Sequence, residues 1–425
     1  MRNYLSISLF SILTSTSVIN AQVDSYGYTK VEASTGNNYQ KRVFFDLSSN
    51  TLTEQSATNW DVAFYRTGSM SIGSRINDAQ GIDTYVASTD PAAWDAINVS
   101  DLGQWGEPLY NPDNTENIGD GAFEQANLTC SILSTGWGCY NMGTHHIDGK
   151  TIYVLKYPDG KYIKFMITDF FGGYTFKYSK WDGSTWGATT TKTIANGTSN
   201  TYFNYYSLQT DAEVSNNEPA SSDWDLMFTR YWTFYNNIMM YRMSGVIQNP
   251  NISVAKTLET QETSAVNLPA ATEFKKGITT IGHSWKPTSG LVPNVVYYIK
   301  EGDKYYRLYF TENGGATTGN MYFKYKDITS LLATAEFGNK LSFAMYPNPA
   351  IDKKVTILFD VKDHLSSEAE IIITDQTGKA VLKTQITKNA GFYKKEVALH
   401  SLSEGVYFVT LKTTSGQETK KLIIK

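Results

Sequence analysis

The sequence predicts an all-β protein: two antiparallel β units related by an internal repeat, followed by a C-terminal immunoglobulin-like β-sandwich. Three observations predict it. The 425 residues include 29 Tyr, 20 Phe and 9 Trp against only 11 Pro, with Thr, Ser, Asn and Gly plentiful, which is the composition of strands and turns. Short motifs recur along the chain in the same order. Long amphipathic helical periodicity is scarce, whereas period-two alternation is common. A formal net charge of −4 with 14% aromatic residues excludes a disordered chain, and the lack of a basic surplus argues against a nucleic-acid partner.

In chain order the first element is a leader. Arg2 is the only charge before Asp24, and Tyr4 to Ile19 is apolar with interspersed Ser and Thr. The stretch is short for a membrane span, which needs about 20 apolar residues, and reads as a signal peptide over 1–21 with cleavage after Ala21. No later segment reads as transmembrane. Export places the two cysteines outside the cytosol, where Cys130 and Cys139 form a candidate disulfide within a Gly-rich stretch; two unpaired buried thiols are the alternative. No further ligands at thiolate spacing accompany them, so no metal is assigned.

The repeat comes next. NWDVAFYR from Asn59 to Arg66 returns as DWDLMFTR from Asp223 to Arg230. IYVLKYPDGKYIKFMI from Ile152 is answered by VYYIKEGDKYYRLYF from Val296, and YTFKY from Tyr174 by MYFKY from Met321. The offsets of 164, 144 and 147 residues make the interval between motifs about 20 residues longer in the first copy. That extra length falls between Asp90 and His146, together with both cysteines, and insertions in loops are where function is usually added. Trp60, Val62 and Phe64 alternate with Asp61 and Tyr65, the pattern of a half-buried strand. Pro158-Asp159-Gly160 and Gly302-Asp303 read as hairpin turns. The two units are drawn as 22–195 and 196–330, with a linker at 331–343.

From Ala344 onward, short β-rich runs alternate with turns at Thr377-Gly378 and Glu404-Gly405. Residues 344–425 hold 12 basic and 9 acidic residues, net +3, whereas 22–343 hold 24 and 32, net −8. The change in charge marks 344–425 as a separate domain. Its Tyr346-Pro347-Asn348-Pro349, Asp375 to Lys379, Leu402 to Tyr407 and terminal Lys420 to Lys425 closely resemble the type A C-terminal sorting domain of the type IX secretion system in Bacteroidetes. The resemblance implies passage across the outer membrane through that machinery, removal of the domain, and release or surface attachment.

The Trp-Asp-Val-Ala-Phe strand, Ser71 to Asn77, and the Tyr-Val-Leu-Lys and Tyr-Lys-Phe strands around a Gly turn resemble the HmuY family of secreted haem-binding proteins. The resemblance implies an all-β fold that captures haem between loops through axial histidines, or methionine in some relatives. Haem iron takes an imidazole or thioether at each face. The ligand candidates are therefore Met142, His145 and His146 in GCYNMGTHHIDGK, and His283 in the second copy; His364 and His400 lie in the sorting domain. Adjacent strand residues point oppositely, so His145 and His146 share one iron only where the backbone turns between them. Met239, Met240 and Met243 read as packing. Arg66, Arg75 and Lys150 are the candidates for propionate contacts.

The resulting reading is a secreted or cell-surface ligand-capture protein that binds haem for iron acquisition, with haem or a haem-carrying host protein as partner. No HExxH, GxSxG, P-loop or dinucleotide fingerprint supports an enzyme. The alternative is a non-haem adhesive or glycan- or peptide-binding surface protein. For that role Trp94, Trp105, Trp181 and Trp186, in Gly- and Asp-rich loops, are either exposed platforms or packing.

Overall fold

The computed structural model describes residues 15–18, 23–287, 290–331, 341–361, 369–387, 389, 391–413 and 416–425. Most of the leader, the centre of the linker and His364 lie outside the described residues. Two compact units emerge, Met1–Ala265 with Pro269–Lys326, and Val266–Leu268 with Asp327–Lys425. Both are built from antiparallel sheets, as the sequence predicts.

The larger unit holds four sheets arranged as two sandwiches. In the first, an inner sheet ordered Ala212–Val214, Phe203–Ser207, Val62–Tyr65, Ser74–Ile76 faces an outer sheet ordered Thr190–Ala195, Gly173–Lys180, Tyr162–Phe170, Ile152–Lys156, Asp83–Ser88. Phe64, Trp137, Tyr153, Phe165, Tyr174 and Phe176 fill the space between them. In the second, Thr51–Ser56, Lys41–Asp46, Leu226–Tyr235 and Met239–Gln248 form the inner sheet, along whose edge Ser15–Val18 pairs with Thr51–Ser56. Its outer sheet is ordered Ile252–Leu258, Val295–Glu301, Lys304–Asn313, Asn320–Asp327, Thr29–Ser34.

The halves drawn at 22–195 and 196–330 are interleaved. The hairpin Lys41–Asp46/Thr51–Ser56 pairs with Leu226–Tyr235, and the hairpin Phe203–Ser207/Ala212–Val214 pairs with Val62–Tyr65. Thr29–Ser34 closes the sheet of the second half, and Thr190–Ala195 that of the first. Each half lends its opening strands to the other.

The two inner sheets also pack against each other through Phe44, Trp60, Ala63, Tyr205, Trp224 and Ile247. This corrects the half-buried reading of the first Trp-Asp strand. Val62 and Phe64 enter one core while Ala63 faces the other inner sheet, and Asp61 is fully buried. Alternation holds within Val62–Tyr65, but Trp60, expected beside Val62 and Phe64, packs with Ala63 instead, and both faces are covered. Asp61 is tolerated there because its carboxylate accepts hydrogen bonds from Ser207 Oγ at 3.2 Å and Gln209 N–H at 3.1 Å, in the turn of the lent hairpin. Asp225 does the same work for Leu47 N–H at 2.8 Å.

The insertion is tied down by polar groups. Asn111 exchanges bonds with the backbone of Ile76 and accepts from Ala122 N–H, while Glu124 accepts from Ser74 Oγ at 2.6 Å and from the N–H groups of Ser74 and Gly121. Burial pushes the Glu124 carboxyl up to about 7. Trp94 lies buried on the outside of the sheet between Lys164 and Lys177, with its indole N–H donating to Thr189. Trp186 donates to the Ile97 carbonyl and stands edge-on to Trp181. These Trp side chains pack the insertion.

The smaller unit is a β-sandwich: Leu341–Tyr346, Lys354–Val361 and Gly391–Ala398 form one sheet, and Ala380–Ile386, Ala369–Thr374, Gly405–Thr413 and Gly416–Ile424 the other. Its motifs have physical roles. Asn348 donates to the Lys421 carbonyl and accepts from Ile423 N–H, joining the YPNP entry to the terminal strand. Asp375 caps its turn by accepting from the N–H groups of Thr377 and Lys379.

Candidate functional site

The site is built on a short hairpin, Gly138–Tyr140 with Ile147–Gly149, that pairs with Tyr162–Phe170 at one end of the first sandwich. Two anchors hold its base. Trp137 is fully buried in the core, and Cys130 and Cys139 are joined by a disulfide. The tip is organised by Asn141, whose side chain accepts from Gly143 N–H at 2.9 Å and donates to Asp148 at 2.8 Å, while its carbonyl accepts from His145 N–H. Met142 is thereby left 67% exposed.

His145 takes a left-handed conformation, φ +63°. Strand alternation is broken at that residue, so the two imidazoles are not constrained to opposite faces. The His145 ring is hydrogen-bonded at Nδ1 to the Tyr140 hydroxyl, 2.6 Å away. His146 Nδ1 lies 2.7 Å from an Asp169 carboxylate oxygen, and its ring stacks flat on Phe171 with centroids 4.6 Å apart and planes at 4°. An ionised carboxylate only accepts, so His146 donates from Nδ1, and in the neutral ring the lone pair then lies on Nε2. Phe171 itself is 56% exposed, and Leu133 and Ile132 of the disulfide loop are exposed as well. Two imidazoles and a thioether therefore share one hairpin tip with apolar surface around them.

The other residues singled out from the sequence are placed elsewhere. His283 belongs to the second sandwich, where it is hydrogen-bonded to the Tyr231 hydroxyl at 2.8 Å and burial holds its imidazole below the ordinary value. Arg75 is buried and donates to the carbonyls of Ile118 and Asp120. Arg66 is half-buried against Asn204. Lys150 follows the site hairpin and is half-buried. Asp169 and Tyr140, which orient the two imidazoles, were not singled out. Asp169 is 23 positions from His146, and the pairing of their strands is what brings them together.

Between the inner sheets lies a cavity of about 50 Å³, lined by Arg42, Trp60, Arg75, Asp78, Glu218 and Trp224 among others. Drug-sized and larger ligands occupy roughly 300–1,000 Å³, so this space is too small for a macrocycle. Among the described residues no group of three or more His, Cys, Asp or Glu side chains converges on a metal-sized point, and no helix is long and apolar enough to cross a membrane.

Residues 38–181 match the family described as HmuY protein, and the whole candidate site falls within that span. Residues 344–425 match the secretion system C-terminal sorting domain, which marks the protein for export to the cell surface or the medium. Comparison with curated proteins gives no match.

Proposed function

We propose that the protein captures haem at the tip of the first sandwich, and that it arose from two divergent HmuY-like copies of which the first carries the ligands. His146 is the axial ligand in this reading, with His145 or Met142 completing the coordination. The observation that carries it is the Asp169–His146 pair: a carboxylate that fixes the ring and its tautomer is the usual outer partner of a metal-bound imidazole. Phe171, Leu133 and Ile132 supply apolar surface for the macrocycle, and Lys150 and Arg66 are the cations for its propionates. Arg75 takes no part, since its guanidinium is committed to backbone carbonyls. When bound, the iron would accept the imidazole lone pair; the chain's own task is to hold and orient the ring. Duplication is supported by matching bonds: Asn77 donates to the carbonyls of Ala57 and Trp60, and Asn249 to those of Ser221 and Trp224.

The test is titration of the purified protein with haemin. A saturable Soret band that is lost or blue-shifted in His146→Ala, and moved toward a five-coordinate spectrum in Asp169→Asn, supports the reading. An unchanged low-spin spectrum in the His145→Ala/His146→Ala double variant removes these ligands. A second reading, adhesion without haem, is favoured by the far end of the Leu226–Tyr235/Met239–Gln248 hairpin, where Phe234, Ile238 and Met239 are more than half exposed. Absence of any Soret band, with retention of a glycan or a host protein, selects it.

A further inference from the structure

The second sandwich gathers positive charge at a place the sequence did not mark. Arg230, Arg242 and Lys286 line a groove of about 250 Å³ together with Tyr39, Ser244 and Asn313, and no carboxylate lines it. Arg230 and Arg242 come from paired strands, and Lys286 from the segment that follows His283. Lys286 is only 5% exposed. Beyond a contact of 5.5 Å with the Trp285 ring, its ammonium has no hydrogen bond or ion pair among the described residues. The buried Arg230 Nε has no partner either, while its Nη2 donates to the Arg242 carbonyl and its guanidinium lies 5.1 Å from the Tyr39 ring centroid.

Among the described residues this charge is met only in part: Arg242 Nη1 donates to the carbonyls of Asp78 and Ala79, and no carboxylate shares the groove. The acids that act on Arg242, Asp78 and Asp83, are not among the residues lining the groove, and Asp78 is already paired with Arg75 and Asn111. Burial holds Lys286 down to about 8, and burial with repulsion from Arg230 holds Arg242 down to about 10. Desolvated cations without a counter-charge are costly, and the cost is relieved when an anion enters.

We propose that this groove is an oxyanion site for a phosphate or sulfate group, bound chiefly by Arg230 and Lys286 with Arg242 adding charge. A dianion fits a lining of three cations and no carboxylate better than a single carboxylate does, and guanidinium groups donate in pairs to tetrahedral oxyanions. The site is separate from the haem reading and stands or falls without it.

Isothermal titration of the full chain with inorganic phosphate, glucose 6-phosphate and acetate tests the assignment. Saturable binding of phosphate or of the ester, with acetate at least tenfold weaker and affinity lowered at least tenfold in both Lys286→Met and Arg230→Gln, supports it. The tighter probe then tells whether the natural ligand is a free ion or a phosphate ester. Lys286→Met should also melt higher than the parent in phosphate-free buffer, because an unpaired buried charge has been removed, and should lose the stabilisation that phosphate gives the parent. Should Arg230→Gln not fold, Lys286→Met decides alone, with Lys286→Arg expected to keep binding. No saturable binding of either phosphate probe, or unchanged affinity in the folded variants, overturns the site.

Discussion

Asn77 and Asn249 make the same bonds in the two sandwiches, Asp61 and Asp225 each fasten the hairpin lent by the other half, and Trp60 and Trp224 face the common interior. Around that common skeleton the two regions diverge. The first sandwich carries the insertion, the disulfide and the imidazole pair; the second has a longer hairpin with an apolar end and a cationic groove. The shared residues are buried, and the Asn and Asp side chains among them are hydrogen-bonded, while His145, Met142, Phe234 and Ile238 of the unshared set reach the surface. In the proposed reading, maintenance of the fold and binding chemistry fall to different residues, and the two regions differ in the second set.

The strongest way to break the comparison is to cut it at the lent strands. The first sandwich is continuous over 59–215, whereas the second needs 23–57 as well as 216–327. Without Val31, Val43, Phe45 and Leu52 its core loses roughly 6–12 kcal/mol at 1.5–3 kcal/mol per side chain, about the whole stability of a domain. Fragment 216–327 should show no cooperative thermal transition, and adding 23–57 in trans should restore one; 59–215 should unfold cooperatively on its own. Cooperative folding of 216–327 alone would show that the exchange is dispensable.

A finer cut tests the skeleton. Asn77→Ala and Asn249→Ala each strand two buried carbonyls and should cost roughly 2–4 kcal/mol in urea unfolding. The prediction is that the two losses agree to within about 1 kcal/mol; a large inequality would make the correspondence one of shape only.

The last effect, spread over a range of pH, concerns a carboxylate of the first sandwich's insertion. Glu124 titrates near 7 in the folded chain against 4.5 unfolded, because burial favours the neutral acid. Between those values the folded form holds a proton that the unfolded chain has released. Its contribution is therefore complete below pH 4.5 and falls by roughly 3 kcal/mol as the pH rises to 7. Asp225, raised to about 7, tilts the second sandwich in the same direction. Glu124→Gln should flatten its own share of the pH profile measured by chemical denaturation and leave the remainder.

Much of the architecture was legible because strands write themselves locally. The Trp-Asp motif, the Gly turns and the tail motifs were all visible in short windows. The exchange was not, since Val43-Phe44-Phe45 reads identically whichever sheet it joins, and a strand's partner is set by long-range packing. Double-sided burial of the first Trp-Asp strand was hidden by Asp61, whose carboxylate is satisfied by Ser207 and Gln209 far along the chain, and by Tyr65, whose ring packs on Tyr202 and Phe203. At the site, the His145-His146 pair stood out, but the groups orienting the rings did not. The cationic groove was invisible for the same reason: Arg230, Arg242 and Lys286 are ordinary surface residues until pairing and burial bring them together.

The pairing of Thr29–Ser34 with Asn320–Asp327 also sets a timetable. Contacts spanning nearly 300 residues form late, because the loop they close must be collapsed first. A chain emerging N-terminus first during synthesis can finish the first sandwich once residue 215 is out, while Val43, Phe44 and Phe45 wait uncovered for strands not yet made. The opening strand of the body is among the last to find its seat, so completion of the second sandwich reports that the whole body has been made.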